Sequence, residues 1–105
     1  MKGTTIEDIL KRNTDVLKKH HVRKIGIFGS YARGDHDAHS DIDILVEFDD
    51  SAFGRNYRGY FDTVTSLSAD LSALLNNHVD LVTFDMLSPR IAPDVLKEVK
   101  IIEEL

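Results

Sequence analysis

Gly29 and Ser30 stand ten residues ahead of Asp41, and Asp41 and Asp43 flank Ile42 where the run DIDILVEF begins. The run alternates, so Asp41, Asp43, Leu45 and Glu47 share one strand face and Ile42, Ile44, Val46 and Phe48 the other. Residues two apart on a strand point the same way, with Cα atoms about 6.5 Å apart. Two carboxylates so placed repel each other, and folding alone gives little reason for the pairing. A divalent cation between them offsets that cost. Hard oxygen donors suit Mg²⁺ or Mn²⁺, and two such ions about 3.5–4 Å apart form the usual clamp for phosphoryl transfer. The Gly-Ser pair supplies a complementary chemistry. Gly29 lacks a Cβ, so an anion can approach the main chain, and Ser30 is a good N-cap for a helical turn over SYAR. Phosphates at Gly29 and Ser30, with metal at Asp41 and Asp43, describe a nucleoside triphosphate site.

Two full coordination shells and an activated acceptor call for a third carboxylate. Asp80, in HVDLVTF, is the candidate, because that run is the next apolar strand downstream. If it neighbours residues 41–48, Asp80 faces the pair, while Val79, Leu81 and Thr83 face away. Arg33 lies one turn after Ser30, placed either to touch a phosphate or to stand as a solvated loop cation. His36 and His39 have metal-ligand spacing, yet beside Asp35 and Asp37 they read as a wet polar loop.

Elements must position these residues. TTIEDILKRNTDVLKKH carries Thr4 and Glu7 in capping-box spacing, and Ile6, Ile9, Leu10, Val16 and Leu17 fall on one stripe, predicting a single amphipathic helix. VRKIGIF, residues 22–28, reads as a strand ending at Gly29. Residues 49–56 read as a polar loop. A long helix is expected over about 57–76, with Tyr57, Tyr60, Phe61, Val64, Leu67, Leu71, Leu74 and Leu75 packing inward and Asn76-Asn77 closing it. A strand follows over 78–84, then a short helix around 89–99, with Ser88 and Pro89 near its start and Pro93 interrupting or restarting it. KIIEEL is ambiguous. The fold class expected is α/β (α+β): a small mixed sheet flanked by helices, as one domain over residues 1–105.

Bulk properties exclude several classes. A net charge of −5 disfavours a broad nucleic-acid footprint, which needs a basic face. Zero cysteines exclude disulfides and thiolate metal sites, and fit a cytoplasmic location. No apolar run approaches the roughly 18 residues of a membrane span, so no membrane partner is expected.

Taken together, FGSYARGDHDAHSDIDILVEF resembles the nucleotidyltransferase superfamily related to polymerase beta, whose signature is Gly-Ser, ten residues, Asp-x-Asp. The match falls on Gly29, Ser30, Asp41 and Asp43, and the likeness runs from about residue 22 to 85. The stretch is similar to the minimal nucleotidyltransferases, small prokaryotic proteins that are little more than a catalytic core. VDLVTFDMLSP resembles that family's third-carboxylate strand, which carries the role onto Asp80. The resemblance implies an antitoxin that transfers AMP from ATP, with Mg²⁺, onto a tyrosine of a partner HEPN-domain ribonuclease toxin. Sheet and helices take up most of the chain, leaving little for a dedicated acceptor domain. The acceptor is therefore expected on another protein or on a second copy of this one. Two alternatives stay open from sequence: an antitoxin that only binds its toxin, and a small-molecule nucleotidyltransferase of the antibiotic-modifying kind.

Overall fold

The computed structural model describes residues 6–53 and 59–105. Its elements run α1 (Ile6–Arg12), α2 (Thr14–Lys19), β1 (Val22–Phe28), α3 (Gly29–Arg33), β2 (Ile42–Phe48), α4 (Tyr60–Leu75), β3 (Val79–Thr83), α5 (Ala92–Glu98) and β4 (Lys100–Glu104), with 3₁₀ turns at Asp50–Ala52 and Phe84–Met86. The strands form one mixed sheet in the order β3-β2-β1-β4. β1 is antiparallel to β2 and to β4, whereas β2 and β3 run parallel. A parallel pair needs a long crossover, and α4 lies in it. This is the expected α+β class with a small mixed sheet and helices.

The strand alternation read from DIDILVEF holds. Ile42, Ile44, Val46 and Phe48 belong to the hydrophobic core with Ile25 and Ile27 of β1, and the helices add Leu10, Leu17, Leu67, Leu71 and Leu75. Leu67, Leu71 and Leu75 recur every four residues, so one stripe of α4 meets the sheet. Each fully buried Leu or Ile contributes about 1.5–3 kcal/mol of transfer free energy. The main core lies on the helix-covered face, and the opposite face of β2 carries Asp43 near its start and the fully buried Leu45 beyond it.

Several sequence expectations are corrected. The first helix is broken at Asn13, whose side-chain amide donates to the Ile9 carbonyl at 2.7 Å and whose φ is −120°. An asparagine side chain bonded to the preceding turn competes with the helix backbone, so α1 and α2 are separate. The apolar stripe survives the break, since Ile6, Leu10 and Leu17 are all buried. The proposed cap at Thr4 lies outside the described residues, as does Tyr57. Of the loop expected over 49–56, residues 54–56 lie outside the described residues; residues 49–53 are less open than a polar loop, holding the 3₁₀ turn and Phe53, which packs edge-on against Phe48 and Tyr60. Tyr60 packs inward as expected, with its hydroxyl 3.1 Å from Thr83 Oγ1. Phe61 does not, being 78% exposed at the outer side of the first turn of α4. Asn76 closes α4 in the left-handed conformation at φ 50°, as its position suggested. Pro93 starts α5 rather than interrupting it, a position where its missing N–H costs nothing. KIIEEL is the edge strand β4, paired with β1.

Candidate active site

The Gly29 turn begins where β1 ends. Phe28 is register-paired with Asp43, so the Asp43 side chain lies beside the turn. Gly29 has φ +72°, and a Cβ there would run into the Asp43 carboxylate. Glycine is thus required twice, by the backbone and by the carboxylate. α3 follows immediately. The helix starts at Gly29, so Ser30 sits in its first turn, not at its cap, and no side chain caps it. The Ser30 carbonyl closes the short helix by accepting the Gly34 and Asp35 amides at 2.9 and 3.1 Å.

The parallel ladder supplies the third carboxylate. Asp43 is paired directly with Asp80, and paired residues on adjacent strands share a face. Val79 and Thr83 are buried on the other side while Asp80 is exposed, the alternation anticipated from HVDLVTF. Asp41 precedes β2, and its carboxylate lies 3.3 Å from His78 Nδ1. Asp43 and Asp80 therefore share one face, and Asp41, at the start of the same strand, is near enough for its charge to act on Asp43. Among the described residues no group of three or more His, Asp or Glu side chains stands at metal-ligating separations, so the three acids would have to turn toward an ion to share it.

Electrostatics mark Asp43 as the centre of this group. Its carboxyl pKa is raised, first by burial, then by the charges of Asp80, Asp41 and Glu98, with Arg33 opposing. Excess negative potential around a half-buried carboxylate is what a cation offsets. The donors are all hard oxygens, which fits Mg²⁺ or Mn²⁺.

Arg33 is not a free loop cation. Its Nη1 donates to both Glu98 oxygens at 3.1 and 3.2 Å, and its Nε donates to Asp35 at 3.1 Å. Glu98 also accepts the Gly29 amide at 2.6 Å. His36 stacks on Tyr31 with ring centroids 3.9 Å apart, and both His36 and His39 are exposed, as a polar loop requires. Four residues at the site carried no sequence signal for this role. Glu98 reads as an ordinary helix acid and His78 as an isolated histidine. Asn77 reads only as a helix stop, yet its amide donates to Tyr31 Oη at 3.0 Å and the Ser40 carbonyl at 3.4 Å, tying the end of α4 to the segments before β2. Tyr31 lies within the motif, but only the fold gives it these partners. A cleft of about 720 Å³ lined by Ile27, Tyr31, His36, Ile42 and Asn77 runs beside these residues, and none of the six predicted site residues lines it.

Residues 5–104 match the family described as Polymerase beta, Nucleotidyltransferase. The chain belongs to that nucleotidyltransferase family, and it is an enzyme of the nucleotidyl-transferring class. Within it, the chain is 40% identical over 95 residues to protein adenylyltransferase MntA of Thermococcus cleftensis, covering 90% of this chain and 89% of that one. It is 43% identical over 79 residues to a candidate protein adenylyltransferase of Methanocaldococcus jannaschii, covering 74% of each. Among solved structures it superposes on a candidate minimal nucleotidyltransferase with TM-score 0.70 and 30% identity, over 95% of this chain and 98% of that one. A toxin-antitoxin crystal structure with AMP-PNP gives TM-score 0.69 and 26% identity, over 90% of this chain and 73% of its counterpart.

Proposed function

We propose that residues 1–105 form one minimal nucleotidyltransferase domain that acts as an antitoxin. It transfers AMP from ATP, with Mg²⁺, to a tyrosine hydroxyl of a partner HEPN ribonuclease toxin. The observation that carries this reading is the placement of Asp43 between the Gly29 turn and Asp80. The family match and the likeness to MntA and to a toxin-antitoxin complex holding AMP-PNP support it.

In this reading Gly29 and Ser30 form the wall against which the triphosphate lies, and Asp41, Asp43 and Asp80 would hold Mg²⁺ once their side chains turn toward the ion. The metal supplies neutralisation of phosphate charge and acidification of the acceptor hydroxyl. The acceptor oxygen bonds to the α-phosphorus, the α–β phosphoanhydride bond breaks, and pyrophosphate leaves. Asp80, exposed on β3, stands to receive the hydroxyl proton. Asp41 and Asp80 are exposed, so a protein acceptor can reach this end of the sheet, whereas a small substrate would need an enclosing pocket.

The test is co-incubation of the protein with the HEPN partner, ATP and Mg²⁺, read by intact mass. A gain of one or more AMP units on the partner, abolished by EDTA, is expected. Inhibition of the partner's ribonuclease activity with no mass change would replace this reading with neutralisation by binding alone.

A further inference from the structure

We infer that Glu98 is a positioning residue that clamps the Gly29–Arg33 turn in its active geometry. The inference rests on the adenylyltransferase reading above and deepens it. One carboxylate holds both ends of α3: Oε1 accepts the Gly29 amide at 2.6 Å, and both oxygens accept Arg33 Nη1 at 3.1 and 3.2 Å. All three bonds join a charged acceptor to a donor, the stronger class of protein hydrogen bond. A five-residue helix with no side-chain cap has little stability of its own, so an external tie decides where it sits.

The anchor of the clamp is built into the sheet. Glu98 ends α5, and two residues later the chain is β4, with Ile27 paired to Lys100 and Gly26 to Ile101. A Cβ on Gly26 would lie 2.8 Å from the Lys100 carbonyl oxygen and 2.9 Å from Val99 Cγ2. The absence of that Cβ lets the Val99–Lys100 segment close onto β1, which delivers Glu98 to the turn that ends the same strand. Glu98 therefore arrives by strand pairing and not by a loose helix end. With its amide held by Glu98, Gly29 contributes space and backbone shape to the nucleotide site. Ser30 and the amides after it are the groups left for phosphate.

Two measurements test this. The first is amide hydrogen exchange by NMR on the wild type and on Glu98→Ala, with and without AMP-PNP and Mg²⁺. The Gly29 amide should be protected in the wild type, exchange at least about tenfold faster in Glu98→Ala, and stay protected when AMP-PNP shifts other amides of the turn. The second is AMP transfer to the HEPN partner at a temperature where every variant is folded by circular dichroism. Glu98→Ala should lose about 100-fold in turnover, the scale expected when a reacting group is displaced by about 1 Å. Glu98→Gln keeps an acceptor for the Gly29 amide and should recover part of that loss. Wild-type turnover in Glu98→Ala, or release of the Gly29 amide when AMP-PNP binds, overturns the clamp. If AMP-PNP shifts no amide anywhere, the triphosphate-site reading fails instead, while the ligand-free exchange comparison still decides whether Glu98 holds the turn.

Discussion

At Asp43, burial acts first and the neighbouring carboxylates second, and both push its pKa above the ordinary 3.8. Between 3.8 and the raised value the unfolded chain has lost this proton and the folded chain keeps it, so folding takes a proton up. Stability contributed by Asp43 therefore falls as pH rises through that window, and at neutral pH the full cost of the buried charge is present. Asp43→Asn removes the charge and keeps the shape. It should raise Tm by a few degrees in metal-free buffer at pH 7 while abolishing AMP transfer. A lower Tm with intact transfer would make Asp43 a structural residue. Asp80 differs because it is exposed and paired only through the strand register. Asp80→Ala should leave the fold intact and disturb ATP binding less than turnover, which should fall by about 100-fold or more, since a proton acceptor acts in the transition state. Steady-state kinetics that show a raised KM with unchanged kcat would remove it from that role.

Between elements, the tie from α2 to α4 is the clearest polar device. The buried His20 ring donates to Asp70 across 2.6 Å. That bond is the main reason the Asp70 pKa is lowered. The sign is opposite to that of Asp43: the unfolded chain binds the proton more readily, so the stabilisation is complete above the ordinary carboxylate pKa and is lost as pH falls through the depressed one. Asp70→Asn should lower Tm at pH 7 by a few degrees and flatten the loss of stability on acidification. A pH–Tm profile parallel to the wild type would show that the bond does not couple to folding.

Across the whole molecule, the strand order places β2 between β1 and β3, so the Gly29 turn, the Asp41–Asp43 edge and Asp80 come from three adjacent strand ends. The net charge of −5 works against binding a polyanionic nucleotide unless a cation intervenes. Calorimetric titration with ATP should therefore show at least about tenfold tighter binding with Mg²⁺ than without, because phosphate oxygens complete the ion's shell. Equal affinity in both buffers would sink the metal-bridged site.

The sequence by itself determined the residues that share a face. Strand alternation has a period of two, so DIDILVEF separates Asp41 and Asp43 from the core with no knowledge of what covers it. The ten-residue spacing between Ser30 and Asp41 marked the motif, and the spacing of leucines in α4 marked the core stripe for the same local reason. Tertiary structure alone decided which strands lie side by side. The Asp43–Asp80 pairing needs β2 beside β3 in one particular register, and alternation excludes only odd slips while leaving the neighbouring strand and even slips open. It also decided that Asn13 breaks the first helix, that Phe61 faces outward, and that the tail forms β4. The clamp at Glu98 lies furthest from sequence. It joins residues 69 apart, and only the pairing of β4 with β1 brings that carboxylate to the Gly29 amide.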